Sequence, residues 1–293
     1  MPRGASSNQQ DLESELAGLL GRARRHHSPC GGGQIVWHEW SAAGSAALPL
    51  VLLHGGSGSW THWLRNIDTL VATGRRVLVP DLPGFGDSAL PPDGRDADAM
   101  PAVLEQGLQQ LIGQAPCDLV GFSFGAMVAA LLSQQHAHRV ARLVLIAPPG
   151  LGCPAIEPIR PRAWRHLQTP AQRLAAHTHN LREIMLHHEA SITALARQLQ
   201  QLNAERDRLP HRRLSRTDRA AQALLQVRCP VHVLYGEQDR YYLGQTQKIE
   251  AVLRGCPGFV QMRAIADAGH WVQFERPEPF HAALLAMLDR DTP

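Results

Sequence analysis

The chain has 293 residues, of which 44% are hydrophobic and 19% are charged, a composition typical of a globular protein with a sizeable core. Its formal net charge of +3 is small for that length and argues against nucleic acid as a partner. Five cysteines without a C-x-x-C pair favour a reducing compartment over a disulfide framework.

The sequence pattern predicts neither export nor a membrane span. Acids and arginines interrupt the leucines between Gln10 and Arg25, so we expect no apolar segment of a signal peptide there. No apolar run approaches the roughly 20 residues that a helix needs to cross a bilayer. We therefore expect a cytoplasmic protein without a membrane partner, and the pattern leaves the oligomeric state open.

Residues 1–33 are expected to form an N-terminal extension. The leucines Leu12, Leu16, Leu19 and Leu20 recur at helical spacing and predict a short amphipathic helix, which the run of three glycines at 31–33 would end. A surface helix or a frayed end is the simpler interpretation. A segment that binds a partner or covers a pocket is the alternative.

Beyond residue 33, two periodicities alternate. Short apolar runs typical of buried strands are followed by longer segments with apolar residues at helical spacing. The predicted strands are Gln34–Trp40, Leu48–Leu53, Arg76–Val79, Cys117–Val120 and Arg142–Ala147, and the predicted helices are Trp60–Ala72, Ala99–Ile112 and Phe124–Gln135. This alternation predicts an α/β fold with a mainly parallel, doubly wound sheet.

The alternation stops at Pro148-Pro149-Gly150, and only helix-like stretches follow, to about Arg228. It then resumes with predicted strands at Val231–Tyr235 and Phe259–Ile265 and predicted helices at Thr246–Leu253 and Pro279–Leu288. We therefore predict one α/β core, residues 34–150 and 227–293, interrupted by a helical block at residues 151–226.

The pentapeptide Gly121-Phe122-Ser123-Phe124-Gly125 lies between a predicted strand and a predicted helix. A nucleophile on a sharp strand-to-helix turn is exposed, and flanking glycines remove side chains that would collide in that turn. The N-terminus of the following helix favours negative charge. Ser123 is therefore the candidate nucleophile.

A serine hydroxyl needs a base, which is typically a histidine oriented by a carboxylate. Asp239 and His270 each follow a predicted strand, at the sheet edge where open α/β proteins place their sites. The order Ser123, Asp239, His270 matches the order that this kind of turn predicts. Glu237 remains an alternative acid.

The glycine-rich stretch from His54 to Trp60 directly follows a predicted strand. Acyl transfer needs two backbone N–H donors for the oxyanion. We assign one to Phe124, the residue after the nucleophile, and the other to Gly56, where the absence of a side chain permits close approach. The alternative is a flexible glycine turn.

Together with the segment Asp81–Ser88 and the ending Gly269-His270-Trp271, these motifs resemble the α/β-hydrolase superfamily over about residues 34–290. The resemblance implies the α/β-hydrolase fold, with residues 151–226 as a helical cap over the site. It implies serine hydrolysis without a metal or organic cofactor. In that family the Asp81–Ser88 turn is mostly structural.

Within the superfamily, the stretch Gly269–Pro277 and the segment Arg65-Asn66-Ile67 are similar to meta-cleavage-product hydrolases, which cleave a carbon–carbon bond. Three features depart from that group. Phe122 stands where asparagine is typical, Ala126 stands where glycine is typical, and Arg197 is offset from the cap arginine that binds the substrate carboxylate.

We expect Phe122, Trp271 and Asn66 to line the substrate pocket, with core packing as the alternative. The block 151–226 contains twelve arginines and six acids, which could steer anionic substrates or simply form solvated helix faces.

The predicted function is hydrolysis of a small carboxylic ester or lactone through an acyl-enzyme. Carbon–carbon hydrolysis of a dienoate and a non-catalytic receptor on the same fold are the alternatives. Haloalkane dehalogenases and epoxide hydrolases of this fold are disfavoured because they use aspartate where this chain has Ser123.

Overall fold

A computed structural model describes residues 14, 16–42, 44, 47–209 and 212–289. Its centre is an eight-stranded sheet of order β1-β2-β4-β3-β5-β6-β7-β8. The pairs β1–β2 and β2–β4 are antiparallel, and all other neighbours are parallel, as predicted. The strands are β1 Arg24–Cys30, β2 Gly33–Trp40, β3 Leu50–Leu53, β4 Val77–Pro80, β5 Cys117–Phe122, β6 Val140–Ile146, β7 Val231–Gly236 and β8 Phe259–Ile265.

Helices cover both faces of this sheet. They are α1 Ile67–Val71, α2 Pro101–Ile112, α3 Phe124–Gln135, α4 Pro170–Asn180, α5 Ala194–Glu205, α6 Arg219–Leu224, α7 Thr246–Arg254, α8 Val272–Glu275 and α9 Pro277–Leu288. Alternate residues of a strand serve the two hydrophobic cores. Val51 packs with the helices α2, α3 and α7, whereas Leu50 and Leu52 pack with α1 and α9. No helix in the described residues has the length and apolarity to cross a membrane.

The sheet begins inside the segment that the sequence set apart as an extension. β1 forms a hairpin with β2, and Gly31 at its turn has a φ of +54°. Sequence pattern missed this strand because β1 is an edge strand, Arg-Arg-His-His-Ser-Pro-Cys, with only Ser28 and Cys30 fully buried. The predicted helix through Leu12, Leu16, Leu19 and Leu20 falls partly outside the described residues, and residues 16–21 are helical.

The segment predicted as one helix from Trp60 to Ala72 is divided. A 3-10 turn spans Trp60–Trp63, and α1 begins only at Ile67. The Asp81 carboxylate accepts the Trp60 N–H at 2.8 Å and so caps the start of the turn. The predicted single helix is thus two shorter helical segments.

Residues 151–226, here called the helical insertion, contain α4, a π-helical turn at Leu181–Met185, and α5. The last helix of this range, α6, packs into the core with α3 through Ala220, Ala223 and Leu224. The described part of the insertion contains no strand.

Candidate active site

Four loops meet at the carboxyl edge of the parallel strands. Ser123 directly follows β5, Asp239 lies three residues beyond β7, and His270 lies five residues beyond β8. Residues 54–59, here called the oxyanion loop, follow β3. Residues 266–271, here called the histidine loop, follow β8. Parallel strands bring such loops to one edge, so four regions distant in sequence form a single site.

The turn at Ser123 is held in a strained conformation. Ser123 has φ +50° and ψ −118°, and α3 begins at the next residue. A Cβ on Gly121 would lie 2.4 Å from the Gly125 oxygen, and one on Gly125 would lie 2.4 Å from the His54 oxygen. Both glycines are therefore required by close backbone packing, as the pentapeptide predicts.

A continuous chain of hydrogen bonds connects Ser123, His270 and Asp239. His270 Nε2 lies 2.9 Å from Ser123 Oγ, and His270 Nδ1 lies 2.7 Å from Asp239 Oδ2. His270 is 5% exposed and Asp239 is fully buried. Glu237 is exposed, and its backbone N–H donates to Ile265. Asp239, and not Glu237, is therefore the carboxylate beside the imidazole.

The two candidate oxyanion donors are the backbone N–H groups of Gly56 and Phe124. Within the described residues, neither N–H donates a hydrogen bond. Gly56 follows a fixed residue, because the Gly55 N–H donates to His62 Nδ1 at 3.2 Å and the Gly55 oxygen accepts from His54 Nδ1 at 2.8 Å. Free N–H groups on a fixed backbone are what an oxyanion site requires.

Two buried neutral histidines support the oxyanion loop. Burial lowers the pKa of His54 and holds the pKa of His62 well below its ordinary value. His54 Nε2 accepts the Leu82 N–H at 2.8 Å, so its proton is on Nδ1. His62 Nδ1 accepts a hydrogen bond from the Gly55 N–H, so the proton of the His62 ring is on Nε2. Both hydrogen-bond patterns exist only for the neutral rings.

The three predicted pocket residues are all buried. Phe122 is 1% exposed, and its ring lies 5.1 Å from the His270 ring. The indole N–H of the fully buried Trp271 donates to the His62 oxygen at 3.1 Å. Asn66 is fully buried and donates to the Gln273 oxygen at 2.9 Å. Phe122 and Trp271 pack directly beside the site, whereas Asn66 ties the start of α1 to the chain after the histidine loop.

Sequence pattern missed a carboxylate that fixes the histidine loop. Glu275 is 8% exposed and accepts the N–H groups of Gly269, His187 and His188, at 2.7, 3.0 and 2.8 Å. The backbone N–H of Trp271 also donates to the backbone oxygen of Met185 at 2.8 Å. The helical insertion is therefore bonded to the loop that carries His270. Glu275 lies in the stretch Gly269–Pro277 that resembles meta-cleavage-product hydrolases, but that stretch alone does not indicate which groups Glu275 binds.

A second unpredicted contact joins the insertion to the oxyanion loop. Arg212 and Asp207 form an ion pair of 2.8 Å, and both contact Ser57 Oγ. A Cβ on Gly56 would lie 3.1 Å from Arg212 Nε, so this guanidinium adjoins the candidate oxyanion donor. Arg197 instead donates to the Ile192 oxygen and lines a groove on α4 with Leu174 and His179. These partners could not be recognised from sequence because they lie about 150 residues from Ser57.

The described residues contain no group of three or more His, Cys, Asp or Glu side chains able to hold a metal ion. The geometry of the site is that of a hydroxyl, an imidazole and a carboxylate in series, with two free N–H groups nearby. Such an arrangement can transfer a proton from a serine and stabilise an oxyanion.

Comparison with known proteins gives a family and relatives. A model of the Alpha/beta hydrolase family matches residues 50–283. The 2-hydroxymuconate semialdehyde hydrolase of Pseudomonas sp. (strain CF600) is 30% identical over 263 residues, covering 84% of this chain and 87% of the relative. A 2-hydroxy-6-oxononadienedioate/2-hydroxy-6-oxononatrienedioate hydrolase of Paraburkholderia phymatum is 27% identical, covering 88% of this chain and 92% of the relative.

Among solved structures, a carboxylesterase from Bacillus subtilis superposes with a TM-score of 0.69 at 20% identity, covering 97% of each chain. At that identity the similarity is one of fold. The family match covers most of the chain, including β3, the turn at Ser123 and the histidine loop. The chain is therefore a hydrolase-fold protein that belongs to the alpha/beta hydrolase family.

Proposed function

We propose that this protein is a cytoplasmic serine hydrolase that cleaves a small carboxylic ester or lactone through an acyl-enzyme on Ser123. The observation that carries the proposal is the unbroken hydrogen-bond chain from Asp239 through His270 to Ser123. Ser123 would be the nucleophile, His270 the general base and acid, and Asp239 the carboxylate that orients the imidazole.

In the proposed acylation step, His270 Nε2 removes the proton from Ser123 Oγ as the oxygen attacks the substrate carbonyl carbon. The carbonyl oxygen becomes an oxyanion and accepts hydrogen bonds from the N–H groups of Gly56 and Phe124. Asp239 holds the Nδ1 proton of His270 and stabilises the imidazolium. His270 then gives its proton to the leaving oxygen as the carbon–oxygen bond breaks.

Deacylation repeats these steps with water. His270 removes a proton from water, the resulting hydroxide attacks the acyl carbon, and Ser123 Oγ leaves with the proton that His270 carries. The N-terminus of α3, which begins at Phe124, adds its dipole to the two N–H groups and favours the oxyanion further. Apart from water, the proposed cycle uses only side chains and backbone N–H groups of this protein.

Carbon–carbon bond hydrolysis is the second candidate. Both curated relatives described above act, by their names, on semialdehyde or dienedioate compounds. The Arg212 guanidinium, although paired with Asp207, lies beside Gly56 and would still offer an N–H donor to a carboxylate on such a substrate. Phe122 argues the other way, because its buried ring occupies the position where those hydrolases typically have an asparagine.

The test is a paired assay of the purified protein with a p-nitrophenyl ester series and with a dienoate ring-fission product. Each substrate is given to wild type and to Ser123→Ala. Ester turnover that disappears in Ser123→Ala supports the proposal. Dienoate turnover well above ester turnover would replace it with carbon–carbon hydrolysis. Binding of the ester or of the dienoate without turnover of either would favour a receptor role on this fold.

A further inference from the structure

The oxyanion loop is fixed from two sides. From the core, His54 and His62 hold Gly55. From the helical insertion, Asp207 and Arg212 hold Ser57. Gly56, whose N–H is a candidate oxyanion donor, lies between the two fixed residues. The position of this N–H therefore depends on the core and on the insertion together.

Ser57, Asp207 and Arg212 form a closed ring of hydrogen bonds, here called the clamp. Ser57 Oγ donates to Asp207 Oδ2 at 2.6 Å and accepts from Arg212 Nη2 at 3.1 Å. Arg212 Nη1 donates to both Asp207 oxygens, at 3.0 and 2.8 Å. The Asp207 side chain is 6% exposed and the Arg212 side chain is 22% exposed, so water competes little for these bonds.

The backbone of Ser57 is in a strained conformation, which the hydrogen bonds of the clamp help to hold. Ser57 has a φ of +49°, in the left-handed region that is unfavourable for a residue with a Cβ. Such a conformation persists only where surrounding contacts over-determine it. Both side-chain partners of Ser57 lie in the helical insertion, so the contacts that oppose this strain come from there.

A parallel contact lies two residues further along the loop. Ser59 Oγ donates to Asn203 Oδ1 at 2.7 Å, and Asn203 Nδ2 donates to Thr61 Oγ1 at 3.0 Å. Asn203 is 1% exposed and lies in α5, shortly before Asp207. The end of α5 and the residues just after it thus contact the oxyanion loop at Ser59 and at Ser57.

Arg212 also lies beside Gly56 and near the side chain of Phe124. Its guanidinium carbon is 5.7 Å from the centre of the Phe124 ring. Removing Asp207 would leave this positive charge without its partner, and removing Ser57 Oγ would release the loop while leaving the ion pair intact. The two changes therefore probe the same contact from opposite sides.

We propose that the clamp makes the seating of the helical insertion a condition for oxyanion stabilisation, with Asp207 and Arg212 as positioning residues that act on the Gly56 N–H through Ser57. This inference rests on the proposed serine-hydrolase function. An insertion that lifts from the core would release Ser57 and misplace the donor. The enzyme would then be competent only while closed.

The experiment compares Ser57→Ala and Asp207→Asn with a matched control, Arg206→Gln. Arg206, in the insertion, forms an ion pair with Asp87 of the core, but its side chain contacts neither the oxyanion loop nor the histidine loop. Active sites are titrated with a fluorophosphonate, and kcat and KM are measured per titrated site with a p-nitrophenyl ester. The dissociation constant of phenylboronic acid, which mimics the tetrahedral oxyanion state, and the melting temperature are measured for every variant.

We expect each clamp variant to lower kcat by about 10- to 100-fold, with KM changed by less than ~3-fold. This decrease in kcat is smaller than the decrease expected when an oxyanion donor is removed outright. Phenylboronic acid binding should weaken in parallel, and the double variant should resemble the more severe single variant. Arg206→Gln should keep wild-type values.

Clamp variants with unchanged kcat, an equal loss in Arg206→Gln, or additive losses in the double variant would each overturn the inference while leaving the hydrolase proposal standing. A loss of melting temperature with unchanged kcat per titrated site would show a merely structural role and also overturn it. Wild type without ester turnover and without labelling of Ser123 would overturn the hydrolase proposal and this inference together.

Discussion

The oxyanion loop and the histidine loop are both bonded to the helical insertion, but through different chemical groups. At the oxyanion loop, side chains meet side chains, and the buried Asp207 carboxylate is neutralised by Arg212. At the histidine loop, the buried Glu275 carboxylate accepts three backbone N–H groups. Within the described residues, Glu275 has no ion-pair partner.

This difference determines which substitutions each loop can tolerate. A contact made to backbone N–H groups is indifferent to the side chains of the residues that supply them, so His187 can vary. A contact made between an ionised pair and a hydroxyl depends on all three side chains, because removal of one leaves a buried charge or donor unmatched. Sequence variation in the insertion should therefore affect the oxyanion loop more than the histidine loop.

The largest expected effect concerns the acid behind the histidine loop. Asp239→Asn should lower kcat by about four orders of magnitude, because the amide favours the wrong tautomer of His270. Glu237→Gln, the control, should keep kcat within about twofold, since Glu237 is exposed and only its backbone is bonded. Steady-state kinetics with an ester would decide, and the reverse pattern would transfer the role of acid to Glu237.

Next comes the carboxylate that holds the histidine loop. Glu275→Gln should lower the free energy of unfolding by about 2–3 kcal/mol, because the amide nitrogen faces backbone donors and the charge is lost. His187→Ala should change it by less than about 0.5 kcal/mol, since only the His187 N–H takes part. Urea unfolding at pH 7.5 measures both values. Equal losses in the two variants would contradict a backbone-mediated contact.

A smaller loss is expected where the insertion approaches the histidine loop most closely. A Cβ on Gly269 would lie 2.8 Å from the His187 nitrogen and 3.0 Å from the Met185 oxygen. Gly269→Ala should therefore cost about 1–2 kcal/mol of stability and lower turnover. Gly32→Ala is the control, because nothing lies within 4 Å of a Cβ there. A fully stable, fully active Gly269→Ala variant would show that the two segments can separate without consequence.

The smallest effect is one of pH and concerns the core side of the oxyanion loop. Because burial lowers the pKa of His62 from 6.5, the unfolded chain binds a proton here at pH values where the folded chain does not. The stability that neutral His62 allows is therefore present above pH 6.5 and lost as the pH falls below it. Between pH 7.5 and pH 6, this amounts to about 0.8 kcal/mol.

Urea unfolding of wild type and His62→Gln at these two pH values tests that expectation. The wild type should lose more stability on acidification than the variant, which lacks the titrating ring. Identical losses would mean that His62 does not contribute to the pH dependence.

The parts of the site that could be predicted are those encoded within a few residues. The turn at Ser123 needs glycines at fixed offsets, and the loops of Asp239 and His270 each follow a recognisable buried strand. The contact of Ser57 with the insertion and the contacts of Glu275 with His187 and His188 could not be predicted, because they join residues about 90 to 150 positions apart. Likewise, β1 was missed because an edge strand needs few apolar residues.

The hydrogen bond between Ser123 and His270 spans 147 residues of sequence, and the bond between Ser57 and Asp207 spans 150. Contacts of such long range are slow to form during folding, because a large loop must close before they contribute. The chain should therefore regain its helices and strands before it regains activity. Refolding would restore secondary structure first, and the last loops to settle would be those that create the site.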